Sequence, residues 1–234
     1  MVKEKNSIDP DKTDKNFLAV SLPHQGTFQQ ELSHLFWRIE LPDNYKPIYL
    51  AANSTDIVTA RNSLVKNALK EDKVEYILFI DSDQGVDPSV PRRLIEKAEE
   101  NDINVLSALT FILQGGVPIP LLSSASEAET RFDWLDTAGL IETDSVGTGC
   151  LLVHRQVFED IEEAPFEQTY DEDGVRTEAE DCVFSRKAKE AGYDLYIDQD
   201  VAVDHHKKVS LQKYLSVLSY AISVDSPEEF MEAM

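Results

Sequence analysis

Four short apolar runs, "FLAVSLP" (17–23), "KPIYLAAN" (46–53), "VEYILFI" (74–80) and "INVLSALTF" (103–111), constrain the fold more than any other feature of the chain. Each has the length and residue types of a buried strand. Between them lie segments whose apolar residues recur at helical spacing. In "QQELSHLFWRIEL" (29–41) these are Leu32, Leu35, Phe36 and Ile39. In the next segment they are Ile57, Ala60, Leu64, Ala68 and Leu69, with Ser54 or Thr55 as the N-cap. In the third they are Leu94, Ile95 and Ala98, with Ser89 as the cap. Strand and helix in alternation predict an α/β domain with a largely parallel sheet. Helices on both faces of such a sheet explain why the strand runs are almost continuously apolar.

The second half is less regular. Residues 113–145 hold Gly115, Gly116, Pro118, Pro120 and a serine-rich run, and are expected to be a long loop or meander over one face, with Phe132 and Trp134 within it. "SVGTGCLLVH" (145–154) reads as a strand entered through glycines. "TEAEDCVFSRKAKEAG" (177–192) reads as a helix closed by Gly192. "YDLYIDQDVAVDHH" (193–206) is a strand or two, and "SLQKYLSVLSYAI" (210–222) a final amphipathic helix, expected to pack through Leu211, Tyr214, Leu215, Leu218 and Ile222. The organisation expected is a polar lead over residues 1–16, one domain over 17–224 and an acidic tail over 225–234.

Charge narrows the possible partners. The 234 residues carry 44 Asp and Glu against 22 Lys and Arg, a net charge of −22. No basic stripe is present, which argues against nucleic acid as a partner. The same charge argues against docking on an anionic membrane. An acidic surface of this kind suits either a salt-rich milieu, where repulsion is screened, or an ordinary cytoplasm. Two cysteines, Cys150 and Cys182, are too few for a disulfide framework and suggest a reducing compartment. No stretch has the length of a membrane span. The opening "MVKEKNSIDPDKTDKN" has no apolar core of a secretory signal. The expected location is the cytoplasm.

The third strand runs directly into "DSD" (81–83). Ligands of open α/β sheets bind at the carboxyl ends of the strands. On an extended chain Asp81 and Asp83 lie on the same side, roughly 6–7 Å apart. Carboxylates so placed repel each other unless a positive charge joins them. Mg²⁺ or Mn²⁺, held by one or two carboxylates and substrate phosphates, fits that need. Downstream, Glu180 and Asp181 open a helix, whose positive end favours the ionised form. Neighbours on a helix point about 100° apart, so only one of them can face a given cleft. An ionised carboxylate there can take a proton from a hydroxyl. His205 and His206 follow an apolar alternation and offer an imidazole to a metal.

Taken in order, "ARNSLVKNAL", the strand ending in "IDSD", "VGTGCLLVHRQVFE" and "EDCVFSRKAKEAGYDLYIDQDVAVDHH" resemble a family 2-type glycosyltransferase of the GT-A fold, over roughly residues 17–208. The resemblance implies a mixed, mainly parallel sheet and hexosyltransferase-type chemistry with a nucleotide-sugar donor. It assigns the donor side to Pro23, Arg61, Asn62, Asp81 and Asp83. Asp81 would lie nearer the ribose, and Asp83 would be the metal ligand with Asp81 and His205, His205 matching better than His206. The cofactor would be Mn²⁺ or Mg²⁺, with the imidazole tilting the choice toward Mn²⁺. Asp181 becomes the catalytic base with Glu180 beside it, and Gly147, Thr148 and Gly149 lie on the acceptor side. The acceptor would be a glycan, glycoprotein or lipid-linked hydroxyl, and the transfer inverting.

The chain departs from that family at "LPHQGTF", where many members carry a Pro-x-Tyr-Asn start. Two other functions share the pattern. A sugar nucleotidyltransferase needs a glycine-rich, basic loop after the first strand, which "LPHQGTFQQE" lacks. A non-catalytic assembly protein on a GT-A-like fold would have no use for the carboxylates, the base and the histidine together.

Overall fold

The structure is a computed structural model that describes residues 15–114, 117–121, 138–212 and 214–215. β1 (Asn16–His24), α1 (Glu31–Arg38), β2 (Tyr45–Asn53), α2 (Ile57–Ala68) and β3 (Val74–Ile80) follow the expected alternation. A two-residue β4 (Gln84–Gly85) precedes α3 (Val90–Asn101) and β5 (Val105–Leu109). The run expected as one strand over 103–111 divides at Thr110: β5 stays in the main sheet, while β6 (Phe111–Gln114) leaves it to pair with β7 (Val117–Pro120). Then come β8 (Leu140–Thr143), β9 (Cys150–His154), α4 (Arg155–Asp160), β10 (Thr169–Tyr170) and β11 (Arg176–Glu178). α5 (Glu180–Glu190), β12 (Leu195–Ala202) and β13 (Asp204–His205) complete the series. Phe132, Trp134, Leu218 and Ile222 lie outside the described residues, as do residues 1–14 of the expected lead and the acidic tail; Asn16, expected in the lead, begins β1.

The main sheet has the order β2-β1-β3-β9-β5-β12-β8. β1, β2, β3, β5 and β12 run one way, and β9 and β8 run against them. This is the mixed, mainly parallel α/β architecture expected of the GT-A class.

Side chains along each central strand alternate between two cores. Leu18, Val20, Leu78 and Ile80 face α1 and α3 through Leu32, Leu35, Leu94 and Ile95. Ala19, Ile77 and Phe79 face α2, α4 and α5 through Leu64, Phe158 and Phe184. Both faces are therefore covered, which accounts for the runs that made the strands legible.

Local signals differ in detail from those expected. α2 is capped by Asp56, whose carboxylate accepts the Val58 and Thr59 N–H groups at 3.2 Å. Ser54 acts one step earlier, accepting the Asp56 N–H at 3.1 Å. Ser89 does not cap α3 with its side chain; its N–H and hydroxyl both donate to Asp87. Gly192 does follow α5 as expected, at φ +94°, a conformation only glycine adopts without strain. Cys150 is buried but Cys182 is exposed, and neither forms a disulfide. In the described part of the last helix Leu211 is 75% exposed and Leu215 63% exposed, so these residues do not pack on the domain. Among the described residues no helix is long and apolar enough to cross a membrane.

Phe166 joins the second core from a loop. Its ring meets Phe79 at 5.4 Å and stacks on Phe184 at 5.0 Å between centroids, with no exposure to solvent. Phe166→Ala is expected to cost about 3–5 kcal/mol, read as a lower denaturation midpoint at unchanged m-value.

Candidate active site

At the carboxyl ends of β1, β2 and β3 a cleft of about 320 Å³ opens, lined by Pro23 and His24 from β1, Ser54 after β2, and Asp81, Ser82 and Asp83 after β3. This is where parallel strands end together and where the helices stand aside. The "DSD" segment is fixed there by backbone bonds. Asp81 donates its N–H to the Gly149 carbonyl at 3.0 Å, and the Asp81 carbonyl accepts from Gln84 N–H at 3.0 Å.

Arg61 stands behind Asp81. It is 2% exposed, on the buried face of α2. One guanidinium nitrogen donates to Asp81 Oδ1 at 2.8 Å and another to Glu180 Oε1 at 2.5 Å. Glu180 Oε2 also accepts from Gln168 at 3.2 Å. Burial opposes ionisation of Glu180, but its own backbone N–H, Arg61 and Gln168 outweigh that and hold its carboxyl below the usual range. Burial pushes Asp81 up, with Arg61 opposing and Asp83 and Glu180 adding to the rise. Arg61 is thus an internal clamp on two carboxylates, rather than a free cation aimed at the cleft.

Asp83 has different partners. β4 pairs antiparallel with β13, setting His205 opposite Gln84. The His206 N–H donates to the Asp83 carbonyl at 2.9 Å. A Cβ on Gly85 would lie 2.7 Å from His206 Nε2, so a larger residue there would require the His206 ring to move. His205 Nε2 then faces Asp83 Oδ2 at 3.1 Å, and Lys207 Nζ reaches the same oxygen at 2.5 Å. His205 Nδ1 lies 2.6 Å from the Phe111 carbonyl oxygen, which can only accept, so Nδ1 carries a proton. A neutral ring therefore points its Nε2 lone pair at a carboxylate, and a proton or a metal ion relieves the opposition. Hydrogen bonding from His205, then from Lys207, holds Asp83 well below the usual carboxylate range against the effect of burial. The same bond to Asp83 raises His205.

The fit to a divalent cation is partial. Among the described residues no three His, Cys, Asp or Glu side chains form a metal-binding group. The expected trio of Asp81, Asp83 and His205 is thus not assembled among the described residues. Asp83 and His205 do fit: two ligand atoms at right angles on a cation with bonds of about 2.1 Å stand about 3 Å apart. Two protein ligands, with phosphate and water for the rest, are a usual holding for such ions.

The remaining expected residues are placed as follows. Asp181 stands partly exposed at the head of α5, its Oδ1 accepting the Cys182 N–H at 2.9 Å, with no ion pair among the described residues. Asn62 faces away from the cleft: its amide donates to the Phe166 carbonyl at 2.8 Å and accepts the Phe166 N–H at 3.1 Å, using both ends on one loop residue. Gly147, Thr148 and Gly149 are buried. A Cβ on Gly147 would lie 2.4 Å from Leu121, and one on Gly149 3.0 Å from Gln84, so in this arrangement the glycines admit packed neighbours. Lys207 and Gln168 were not anticipated. Lys207 had a signal, since residues two apart on an extended strand share a side and His205 was already a candidate. Gln168 had none.

Arg61→Met leaves two carboxylates without their counter-charge and is expected to destabilise the fold by about 3–5 kcal/mol. Combining it with Asp81→Asn and Glu180→Gln is expected to recover most of that loss in the same denaturant titration.

No family model matches the chain, and no curated protein is similar to it in sequence. Solved structures are similar in fold. A197 from STIV is 13% identical, covers 82% of this chain and 86% of its own, and superposes with a TM-score of 0.57. GalNAc-T7, solved with UDP, GalNAc and Mn²⁺, is 11% identical and covers 89% of this chain and 48% of its own, at a TM-score of 0.48. The likeness to A197 is one of fold alone.

Proposed function

We propose that this chain is a metal-dependent glycosyltransferase, moving a sugar from a nucleotide-diphosphate donor to an acceptor hydroxyl with inversion. The observation that carries the proposal is the cleft at the ends of β1, β2 and β3, walled by Asp81 and Asp83, with His205 facing Asp83 at 3.1 Å. The donor diphosphate lies in the cleft beside Pro23 and His24. Asp83 and His205 hold Mn²⁺ or Mg²⁺. Bound there, the cation supplies Lewis-acid stabilisation of the charge that develops on the departing diphosphate.

Asp181 takes the proton. The acceptor oxygen bonds to the anomeric carbon, the bond from that carbon to the diphosphate oxygen breaks, and the hydroxyl proton passes to the Asp181 carboxylate. Glu180 is unsuited to that step because Arg61 and Gln168 already occupy both of its oxygens. Arg61 and Glu180 instead hold Asp81 at the cleft wall, nearer the ribose. The acceptor is a glycan, a glycoprotein or a lipid-linked hydroxyl, approaching from the α5 side.

The first test is a thermal-shift panel of UDP-, GDP-, dTDP- and CMP-sugars, each with Mn²⁺ and with EDTA. A ligand of the folded state at about 100 times its Kd stabilises by about 2.7 kcal/mol, a rise of about 5–10 °C in a chain of this size. One nucleotide class is expected to give such a shift in Mn²⁺ and to lose it in EDTA. Asp83→Ala is expected to abolish the shift. Asp181→Asn is expected to keep it while lowering transfer by about 100-fold or more. No shift with any donor, in a chain shown to be folded, would overturn the proposal in favour of a non-catalytic assembly role. Near-normal turnover in Asp181→Asn would overturn Asp181 as the base.

A further inference from the structure

Asp83 Oδ2 is shared. His205 Nε2 approaches it at 3.1 Å and Lys207 Nζ at 2.5 Å, so the oxygen that would bind a cation already carries one. The lysine is brought there by the fold. The β4–β13 pairing and the bond from the His206 N–H to the Asp83 carbonyl fix the backbone immediately before it. Its side chain is 46% exposed, so it can leave without disturbing the core. Acidic groups outnumber basic ones two to one, 44 against 22, so a lysine on this particular carboxylate is not the background of a basic surface. A divalent ion entering beside His205 meets a like charge on the same ligand atom, and their repulsion opposes joint occupancy.

We propose that Lys207 is the resident counter-ion of Asp83, and that a divalent cation binds this chain only by displacing the Lys207 ammonium from the Asp83 carboxylate. The inference rests on the reading of Asp83 and His205 as metal ligands. Lys207 stabilises the metal-free site and sets a threshold on metal affinity. Once displaced, its ammonium is free in a cleft proposed to hold a diphosphate.

The test is a titration of the full chain with Mn²⁺ alone, followed by the electron-spin signal of the free ion, for wild type, Lys207→Met, Lys207→Arg and Asp83→Asn. Lys207→Met is expected to bind Mn²⁺ about 5-fold more tightly than wild type, the factor set by removing one partly exposed ion pair. Lys207→Arg is expected to keep the wild-type affinity. Asp83→Asn is expected to lose binding. An unchanged or weaker affinity in Lys207→Met, with binding still lost in Asp83→Asn, would overturn the role of Lys207 and leave the metal site standing. Equal tightening in Lys207→Arg would also overturn it, because shape rather than charge would be responsible. Mn²⁺ binding that survives Asp83→Asn, or no binding in any form, would overturn the metal site itself and the inference with it.

Discussion

The buried Arg61 guanidinium, donating to Asp81 at 2.8 Å and to Glu180 at 2.5 Å, is the interaction on which the site depends. It joins α2, the end of β3 and the head of α5 in one place. Without it, two carboxylates would face each other in a region shielded from water, and at least one would have to protonate or retreat. With it, Asp81 keeps its place on the cleft wall and Glu180 is committed. The geometry also separates Glu180 from its neighbour: Glu180 has partners on both oxygens, and Asp181 has no ion pair among the described residues.

Electrostatics organise the rest. A chain of net charge −22 repels an anionic ligand unless cations at the site offset the field. Its cations at the site are few and placed with purpose. Arg61 neutralises the inner carboxylates, while Lys207 and His205 meet at Asp83. The outer group is the one open to exchange, because it is partly exposed and its lysine is flexible. In the inner group the cation itself is buried, Arg61 being 3% exposed in its side chain. The same contrast separates a charge that holds the fold from one that answers to a ligand.

Sequence pattern made the framework legible because burial on both sheet faces writes itself as apolar runs, and because strand ends are a rule-bound place for function. Asp81, Asp83 and His205 were visible for that reason. The partners of Arg61 and Asn62 were not. Glu180 lies 119 positions from Arg61, and Phe166 lies 104 from Asn62, so neither pairing leaves a local trace. Each residue has the type a ligand-binding group would have, and each is satisfied inside the protein instead. The neighbours of Gly147 and Gly149 are hidden in the same way: the approach of Leu121 and Gln84 leaves no mark in a string of letters. The cap of α2 fell one or two positions later than expected, at Asp56, while Ser89 holds the N-cap position of α3 but turns its hydroxyl to Asp87.

The pairing of β4 with β13 also bears on how the molecule is made. Arg61 and Asp81 are 20 positions apart, and their pair can form once the first three strands have left the ribosome. Asp83 and His205 are 122 apart. Until the last strands emerge, the nascent chain carries an aspartate with neither its histidine nor its lysine, and contacts of such long range close late in folding. The pairing of Asp83 with His205 is therefore among the contacts that must wait for the end of the described chain, whereas the Arg61–Asp81 pair need not.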